Sequence, residues 1–352
     1  MPDSSAEGKR RDLRPSKRRI NIALQGGGAH GAFAWGVLDR LLEDDRLEIE
    51  GIVGTSAGAM NAVVTAYGLT LGGGAGARER LCAFWRSVSD AARFSMLQPT
   101  FWDKALQPDG SLDFAPGYIL TGTLSRLLSP YQLNPGNINP LRDVLLSVVD
   151  FERLRRNGST KLFVCASNVM SGRLRVFDKA EISVDAVLAS ACLPFMFQAV
   201  AIDGEHYWDG GYMGNPPIFP LIYNCETRDV LIIQLDPINI DRVPTTANEI
   251  RDRLITLSFN SSLMREMRAI HFVEQLIASG FDSGGKLKSI LVHTIDGEDV
   301  LKKLSVSSKM NPDWEFLTHL FDIGRQRADR FLAQNFDQIG VQSSTDIQAK
   351  FL

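Results

Sequence analysis

Strand-like and helix-like patterns of apolar residues alternate along most of this chain. The strand-like segments are RINIAL, IEGIV, KLFVCASN, RLRVFD, DVLIIQLD and SILVHTID. Residues 229–236 form a nearly continuous apolar run, which is typical of a parallel strand buried on both faces. Between the strands, segments such as AFAWGVLDRLLEDD repeat their apolar residues at helical spacing. The alternation predicts an α/β fold, a three-layer α/β/α sandwich with a mostly parallel central sheet.

Neither an internal repeat nor a linker interrupts this pattern, so a single domain is predicted to span residues 20–340. A basic arm, residues 1–19, would precede the domain, and a tail, residues 341–352, would follow it. Residues 78–130 have mixed helical character and are expected to form a lid or cap. Residues 247–340 are expected to form a C-terminal helical elaboration that contains one strand.

The composition is that of an ordinary soluble protein, with 44% hydrophobic and 22% charged residues. The net charge of −3 argues against a nucleic-acid-binding surface. No apolar run reaches the ~18 residues that span a bilayer, and no apolar region follows the basic N-terminal residues as in a secretory signal. The four cysteines are scattered, without a C-x-x-C pair or histidines at metal-ligand spacing. We therefore expect a cytoplasmic protein with reduced cysteines and no zinc site.

The N-terminal arm carries a cluster of basic residues. They are Lys9, Arg10, Arg11, Arg14, Lys17, Arg18 and Arg19. Two interpretations stay open. The cluster is either a disordered, solvated arm or a peripheral contact to an anionic lipid surface, such as the inner face of a membrane. In the second case each basic residue contributes about 1 kcal/mol to binding.

The glycine-rich stretch NIALQGGGAHGAFAWG, residues 21–36, allows two readings. Gly26, Gly28 and Gly31 spell G-x-G-x-x-G, the pattern of a turn that holds a dinucleotide pyrophosphate. Glu48 and Glu50 lie about where a ribose-binding acid would follow, ~20 residues on. Alternatively, the three consecutive glycines offer backbone N–H groups to an oxyanion.

The second strand leads into a G-x-S-x-G motif, Gly54-Thr55-Ser56-Ala57-Gly58. Between a strand and a helix, this motif indicates a nucleophile elbow with an exposed serine on a strained turn. A side chain at Gly54 or Gly58 would collide with neighbouring backbone, and the helix that begins at Ala57 favours negative charge near Ser56. The alternative is that Ser56 only caps the helix.

A serine nucleophile needs a base, and the five histidines offer no distinctive motif. His271 and His293 would be the candidates in an ordinary Ser-His-Asp hydrolase, although a helix and a strand are places where a packed histidine is common. The segment Asp209-Gly210-Gly211 instead puts a carboxylate at the end of a short strand, before two residues without side chains. Another loop can therefore approach the carboxylate closely. The competing interpretation of Asp209 is an ordinary D-G turn.

Together, G-G-G-x-x-G, G-T-S-A-G and D-G-G, in this order, resemble the patatin-like phospholipases, or acyl lipid hydrolases. The segment LASACLPFMFQAVAIDGEHYWDGGYMGNPP, with Pro194 and Asn215-Pro216, is also similar to that family. The resemblance covers roughly residues 21–236. It implies an α/β/α sandwich with a Ser–Asp dyad and no catalytic histidine, and it requires no metal or organic cofactor.

By motif position, the resemblance implies that Ser56 is the nucleophile and Asp209 its base. The oxyanion loop would be Gly26, Gly27 and Gly28, with motif support from His30, Gly31, Gly54, Gly58, Gly210 and Gly211. One position departs from the family, which usually carries Arg or Lys where this chain has His30. If the cation holds the loop or the oxyanion, a neutral imidazole would do so less well, and activity would be weaker or pH-dependent. The alternative is that His30 has only a structural role.

The resemblance implies a serine acyl hydrolase that cleaves esters of phospholipids or related lipids through an acyl-enzyme. An acyltransferase or thioesterase could use the same dyad, and a dinucleotide-binding module remains the alternative from another class. Several large apolar residues of the lid region could line a channel or enter a bilayer interface. They are Phe84, Trp85, Phe94, Met96, Leu97, Phe101 and Trp102. Ordinary packing of a helical cap against the core explains the same residues equally well.

Overall fold

The computed structural model describes residues 17–93, 110–281 and 284–352. The strands are β1 (Arg18–Leu24), β2 (Leu47–Gly54), β3 (Lys161–Asn168), β4 (Leu174–Asp178), β5 (Val200–Ile202), β6 (Glu205–Asp209), β7 (Asp229–Gln234) and β8 (Leu291–Asp296). The α-helices are α1 (Gly31–Glu43), α2 (Ala57–Ala91), α3 (Pro116–Leu127), α4 (Pro130–Leu133), α5 (Pro140–Val148), α6 (Phe151–Arg156), α7 (Val184–Ser190), α8 (Phe219–Asn224), α9 (Ala247–Ala278), α10 (Glu298–Leu301), α11 (Trp314–Asn335) and α12 (Ile347–Phe351). Short 3-10 helices lie at Gly28–His30, Gly210–Tyr212, Val306–Met310 and Phe336–Gln338.

The strands form one sheet in the order β5-β6-β3-β2-β1-β7-β8, with β4 also paired to β3. The five strands from β3 to β8 in this order are parallel, whereas β4, β5 and β6 add antiparallel pairs. Helices cover both faces, so the predicted α/β/α sandwich is confirmed. All six residues of β7 are buried, as its continuous apolar run predicts.

The two faces of the sheet pack into separate apolar cores, because side chains alternate along each strand. Ile20, Ile22 and Leu24 of β1 face a core that includes residues of α1, α2 and α11. Ala23 faces the opposite way, into a second core with residues of α9 and α12. The last helices of the chain therefore complete both layers.

The edges of β3 bring two distant segments together. β2 pairs with the first half of β3, with Gly54 opposite Val164, and β6 pairs with the second half, with Asp209 opposite Ala166. β4 pairs with these residues of β3 along one edge, so β2 and β6 both lie along the opposite edge of β3. Since Val164 and Ala166 are two residues apart, about 7 Å along the strand, the ends of β2 and β6 meet there.

Both predicted ends of the domain need correction. β1 begins at Arg18, so Arg18 and Arg19 belong to the sheet and not to the arm; the Arg18 guanidinium donates to the carbonyls of Phe336 and Ile339. The remaining basic residues of the arm, apart from Lys17, lie outside the described residues. The predicted tail contains α12, whose buried Phe351 packs in the second core.

The glycine-rich segment LGGGAGA, whose composition predicts a flexible loop, is instead part of α2. Non-helical backbone at Gly72 and Gly73 kinks the helix, and both halves remain helical. A Cβ at Gly68 would lie 2.4 Å from Cα of Ala77, so the halves pack closely across the kink only because the residue at 68 is glycine. Within the described residues, no helix is long and apolar enough to cross a membrane.

The predicted lid region divides into parts with different packing. Phe84 and Trp85 lie in the second half of α2 and are buried in the first core, as ordinary packing predicts. In contrast, α3 has no buried residue. The remaining apolar residues named for the lid, namely Phe94, Met96, Leu97, Phe101 and Trp102, lie outside the described residues.

Candidate active site

Ser56 lies on a strained turn between β2 and α2. Its backbone φ is 55° and its ψ is −123°, a conformation that costs a non-glycine residue about 1–3 kcal/mol. Its hydroxyl makes no capping hydrogen bond to α2, so the helix-cap interpretation is wrong. A Cβ at Gly54 would lie 2.3 Å from the Gly58 carbonyl oxygen, and one at Gly58 would lie 2.3 Å from that of Leu24. The steric need for both glycines is confirmed.

Asp209 ends β6 and is completely buried. Its Oδ1 accepts a hydrogen bond of 2.7 Å from the Gly211 N–H and caps the 3-10 helix Gly210–Tyr212, which stands in place of the D-G turn that the sequence also allowed. Its Oδ2 is buried without a hydrogen-bond partner among the described residues. Burial raises the pKa of Asp209 to about 7, and the Gly211 N–H and the Ser56 hydroxyl act in the opposite direction. Ser56 is thus close to this carboxyl, although the pair is outside ordinary hydrogen-bond geometry.

The glycines after Asp209 allow the close approach that the sequence predicts. A Cβ at Gly210 would lie 2.1 Å from the carbonyl oxygen of Cys165 and 3.0 Å from the Thr55 side chain. Thr55 also donates a hydrogen bond of 2.8 Å to the Gly214 carbonyl, which joins the serine turn to the loop after Asp209. At Gly211 the nearest neighbour is the ring of Phe259.

The glycine loop lies directly against the serine turn. A Cβ at Gly26 would lie 2.6 Å from Cβ of Ser56. The Gly26 N–H donates to Oδ1 of Asn215 over 2.7 Å, so its predicted part as an oxyanion donor is wrong. No acceptor among the described residues takes the N–H of Gly27 or Gly28. Gly28 has a φ of +58°, and a Cβ there would lie 2.3 Å from the Lys309 carbonyl oxygen.

No histidine forms a hydrogen bond with Ser56 or Asp209 in the part of the chain that the structure describes. His271, on α9, bonds Gln275. His293 bonds Asp229 and Ser344, which forms a Ser-His-Asp arrangement at the other end of the sheet. Asp229 is the first residue of β7. It lies four residues, or about 13 Å along the strands, before the position of β7 that is level with Gly54.

His30 is buried beside the glycine loop. Burial, with a smaller effect of the Lys309 charge, lowers its pKa to about 3, so the imidazole is neutral. Its Nε2 lies 2.7 Å from Oγ of Ser308, and that hydroxyl donates to the Ser305 carbonyl. Nε2 is therefore the protonated nitrogen and donates to Ser308. The next motif glycine, Gly31, packs against Ala57 and Trp85.

The acids that a dinucleotide site would use are at the wrong end of the sheet. Glu50 accepts hydrogen bonds from the backbone of Glu226 and Thr227 and from Lys161. Glu48 and Glu50 flank Ile49, which is level with Ile20 early in β1. The glycine loop follows Leu24, so neither carboxylate is placed to hold a ribose at that loop.

The model of the patatin-like phospholipase family matches residues 22–222, more than half of the chain. The chain belongs to the patatin-like phospholipase family. This is a family of lipid hydrolases, and the match includes the glycine loop, the serine turn and Asp209. No curated protein matches the chain.

Two solved structures resemble this patatin-like protein at low identity. VipD from Legionella pneumophila is 17% identical, with a TM-score of 0.45, and the match covers 89% of this chain and 66% of VipD. ExoU, in the heterodimeric ExoU-SpcU complex of the type III secretion system of Pseudomonas aeruginosa, is 18% identical with a TM-score of 0.40. That match covers 92% of this chain and 52% of ExoU.

Several residues around the patatin-like site have no signal that sequence reasoning could use. Ser190, at the end of α7, accepts the Ser56 N–H over 2.9 Å. In the sequence Asn215 stands out only as part of an Asn-Pro pair, whereas in the fold its side chain accepts the Gly26 N–H. Asp236 and Lys309 lie beyond the family match and reach the site only through the fold.

Proposed function

We propose that this protein is a serine lipid hydrolase with Ser56 as nucleophile and Asp209 as its base. The observation that carries the proposal is the buried Asp209 carboxyl beside a serine held at positive φ. One oxygen of this carboxyl has no hydrogen-bond partner among the residues that the structure describes, and the pKa of Asp209 is raised to about 7. General base catalysis at neutral pH is most effective when the pKa of the base is close to neutrality. Backbone strain at a nucleophile is typical of a catalytic turn.

In the first step the Ser56 oxygen bonds to the carbonyl carbon of an acyl ester while Asp209 accepts the hydroxyl proton. Negative charge develops on the carbonyl oxygen, and the N–H groups of Gly27 and Gly28 stabilise it. The N-terminus of α2, which begins one residue after Ser56, adds a favourable dipole. The ester C–O bond then breaks, and Asp209 returns the proton to the departing alcohol.

The second step releases the acyl group. Water attacks the acyl-Ser56 ester, Asp209 accepts the water proton, and the proton passes to Ser56 as the carboxylic acid leaves. Every proton moves through one carboxyl, so no histidine is required. Cys192 is not a competing nucleophile, because burial raises the pKa of its thiol to about 12.

Labelling with a fluorophosphonate probe tests the proposal. We expect the probe to modify Ser56 in the wild-type protein, as located by peptide mass spectrometry, and to modify the folded Asp209→Asn variant far more slowly. Ser344 supplies a matched control, because it is the serine of the Ser344–His293–Asp229 arrangement. Modification of Ser344, or loss of labelling in His293→Gln, would assign the chemistry to that other arrangement and overturn the proposal.

An exposed apolar surface beside the site supports a lipid as the substrate. Its members lie on and around α3 and α4: Phe114, Ile119, Leu120, Leu127, Leu128, Tyr131, Leu133 and Ile138. Residues 114–142 contain no Asp or Glu. The surface is joined to the site, because the hydroxyl of Tyr131 accepts the Ala199 N–H just before β5, which pairs with β6. An exposed apolar surface of this kind fits a lipid bilayer.

We expect the substitution Leu127→Asp to weaken binding to vesicles of phosphatidylcholine and phosphatidylglycerol by about tenfold, because an apolar contact is replaced by a like charge. Cosedimentation measures the binding. Val341→Asp is the matched control, since Val341 is similarly exposed, 68% against 76% for Leu127, but lies outside the surface. Hydrolysis of a water-soluble ester should be unchanged in both variants. Equal binding by both variants would remove this surface from the proposal.

A further inference from the structure

Lys309 connects to the glycine loop through a chain of buried groups. Its ammonium pairs with Oδ1 of Asp236, whose side chain is completely buried. The other carboxylate oxygen accepts a hydrogen bond of 3.3 Å from Nδ2 of Asn215, and Oδ1 of Asn215 accepts the Gly26 N–H. A charge at the surface end of this chain therefore reaches the loop beside Ser56 in three contacts.

The same segment also contacts the loop directly. The Lys309 carbonyl oxygen fills the space where Gly28 would carry a side chain, and the preceding Ser308 accepts the hydrogen bond of His30. The 3-10 helix Val306–Met310 thus contacts the glycine loop directly at Gly28 and His30. It is linked to Gly26 indirectly, through Asp236 and Asn215. All of it lies beyond the family match, which ends at residue 222.

We propose that Lys309 is a positioning residue for the oxyanion loop, and that it supplies from a distant segment the cation that His30 does not provide. The inference rests on the proposed function. With Asn215 fixed by the Lys309–Asp236 pair, Gly26 donates to Asn215 and the loop keeps the N–H groups of Gly27 and Gly28 unpaired. Without Lys309, Asp236 is a buried charge without its counter-ion, and Asn215 loses a fixed partner.

Lys309 and Asp236 also act on the base in opposite directions. The negative charge of Asp236 raises the pKa of Asp209, and the positive charge of Lys309 lowers it, both less than burial does. The other titratable groups that interact with Asp209 are Cys192 and Tyr212, and both have a pKa raised to about 12. They therefore stay neutral between pH 5 and pH 9, and within the described part of the chain the charges that act on Asp209 are those of Asp236 and Lys309.

The substitution Lys309→Met is expected to lower kcat by about 10²–10³-fold, the loss typical of one misplaced oxyanion donor, with little change in KM. The midpoint of the acidic limb of kcat/KM should move to higher pH. Lys309→Arg, which keeps the charge, should recover most of the loss. Lys302→Met is the matched control, because it removes a lysine–aspartate pair with Asp241 at the surface, and it should behave as wild type.

Three outcomes decide the inference. An unchanged kcat in folded Lys309→Met, or an equal loss in Lys309→Arg, would overturn it. If Lys309→Met does not fold, the double variant Lys309→Met with Asp236→Asn removes the unpaired charge, and a wild-type kcat in that variant would overturn the inference as well. Fluorophosphonate labelling separates this failure from that of the proposed function: Ser56 labelled in the wild type leaves the function standing even if Lys309 proves dispensable.

Discussion

The Ser56→Ala variant should lose at least about 10⁴-fold in kcat on a chromogenic ester or a fluorogenic phospholipid, because the proposed mechanism forms the acyl-enzyme on the Ser56 hydroxyl. Its free energy of unfolding should change by less than about 1 kcal/mol. The Ser56 hydroxyl makes no capping hydrogen bond, and alanine keeps the Cβ that contacts Gly26. Residual activity within about tenfold of wild type would exclude Ser56 as the nucleophile.

Ser56→Gly separates catalytic strain from fold stability. Glycine adopts a φ of 55° without a steric cost, so this variant should be as inactive as Ser56→Ala and about 1 kcal/mol more stable than wild type. Urea unfolding, followed by circular dichroism, measures the difference. A destabilised Ser56→Gly protein would mean that the turn is not strained and would remove one of the supports for a nucleophile elbow.

Local pattern was enough to predict most of the sheet and the position of the serine. The apolar run of β7 is buried throughout, and Gly54 is required by a backbone contact with Gly58 inside the same motif, whereas Gly58 is required by the Leu24 carbonyl of the neighbouring strand β1. The sequence gives no sign of the kinked helix at Gly72–Gly73, because a run of glycines has the composition of a loop. Its helical conformation depends on contacts such as that between Gly68 and Ala77, which only the folded chain reveals.

The partners of the glycine loop could not be predicted, because each comes from a different part of the chain. Gly26 is 189 residues from Asn215, and His30 is 278 residues from Ser308. Nothing in the segment SVSSKMNP distinguishes Lys309 from a surface lysine. A sequence motif reflects the residues that the backbone of a turn requires. The side chains that hold the turn in place depend instead on the topology of the fold, which brings distant segments together. The misassigned Gly26 amide follows directly: its acceptor lies in another loop.

The Asp209→Asn variant should lose about 10⁴-fold in kcat, since an amide cannot accept the Ser56 proton, while its Oδ1 can still accept the Gly211 N–H. In the wild type, kcat/KM should rise with pH around a midpoint of about 7, where Asp209 loses its proton. Because burial lowers the pKa of His30 to about 3, that residue adds no second transition in this range. A flat wild-type profile between pH 5 and pH 9 would contradict Asp209 as the base.

The same carboxyl makes the wild type less stable as the pH rises. The folded protein keeps the Asp209 proton up to about pH 7, whereas the unfolded chain releases it near pH 3.8, so folding binds a proton between these values. Stability therefore falls across this window, by up to about 4 kcal/mol for this group. Asp209→Asn should remove that loss and be more stable than wild type at pH 8.

Glu266→Gln is the matched control for the pH measurement, because burial also raises the pKa of Glu266 to about 7 and its carboxylate accepts the backbone N–H groups of Ile218 and Phe219, away from Ser56. Like Asp209→Asn, this variant should lose less stability than the wild type as the pH rises. Its kcat and the acidic limb of its kcat/KM profile should stay as in the wild type. A buried carboxyl alone would give both variants the same behaviour. If Asp209 accepts the serine proton, its substitution both abolishes activity and increases stability at high pH. A purely structural role of Asp209 could not produce this combination.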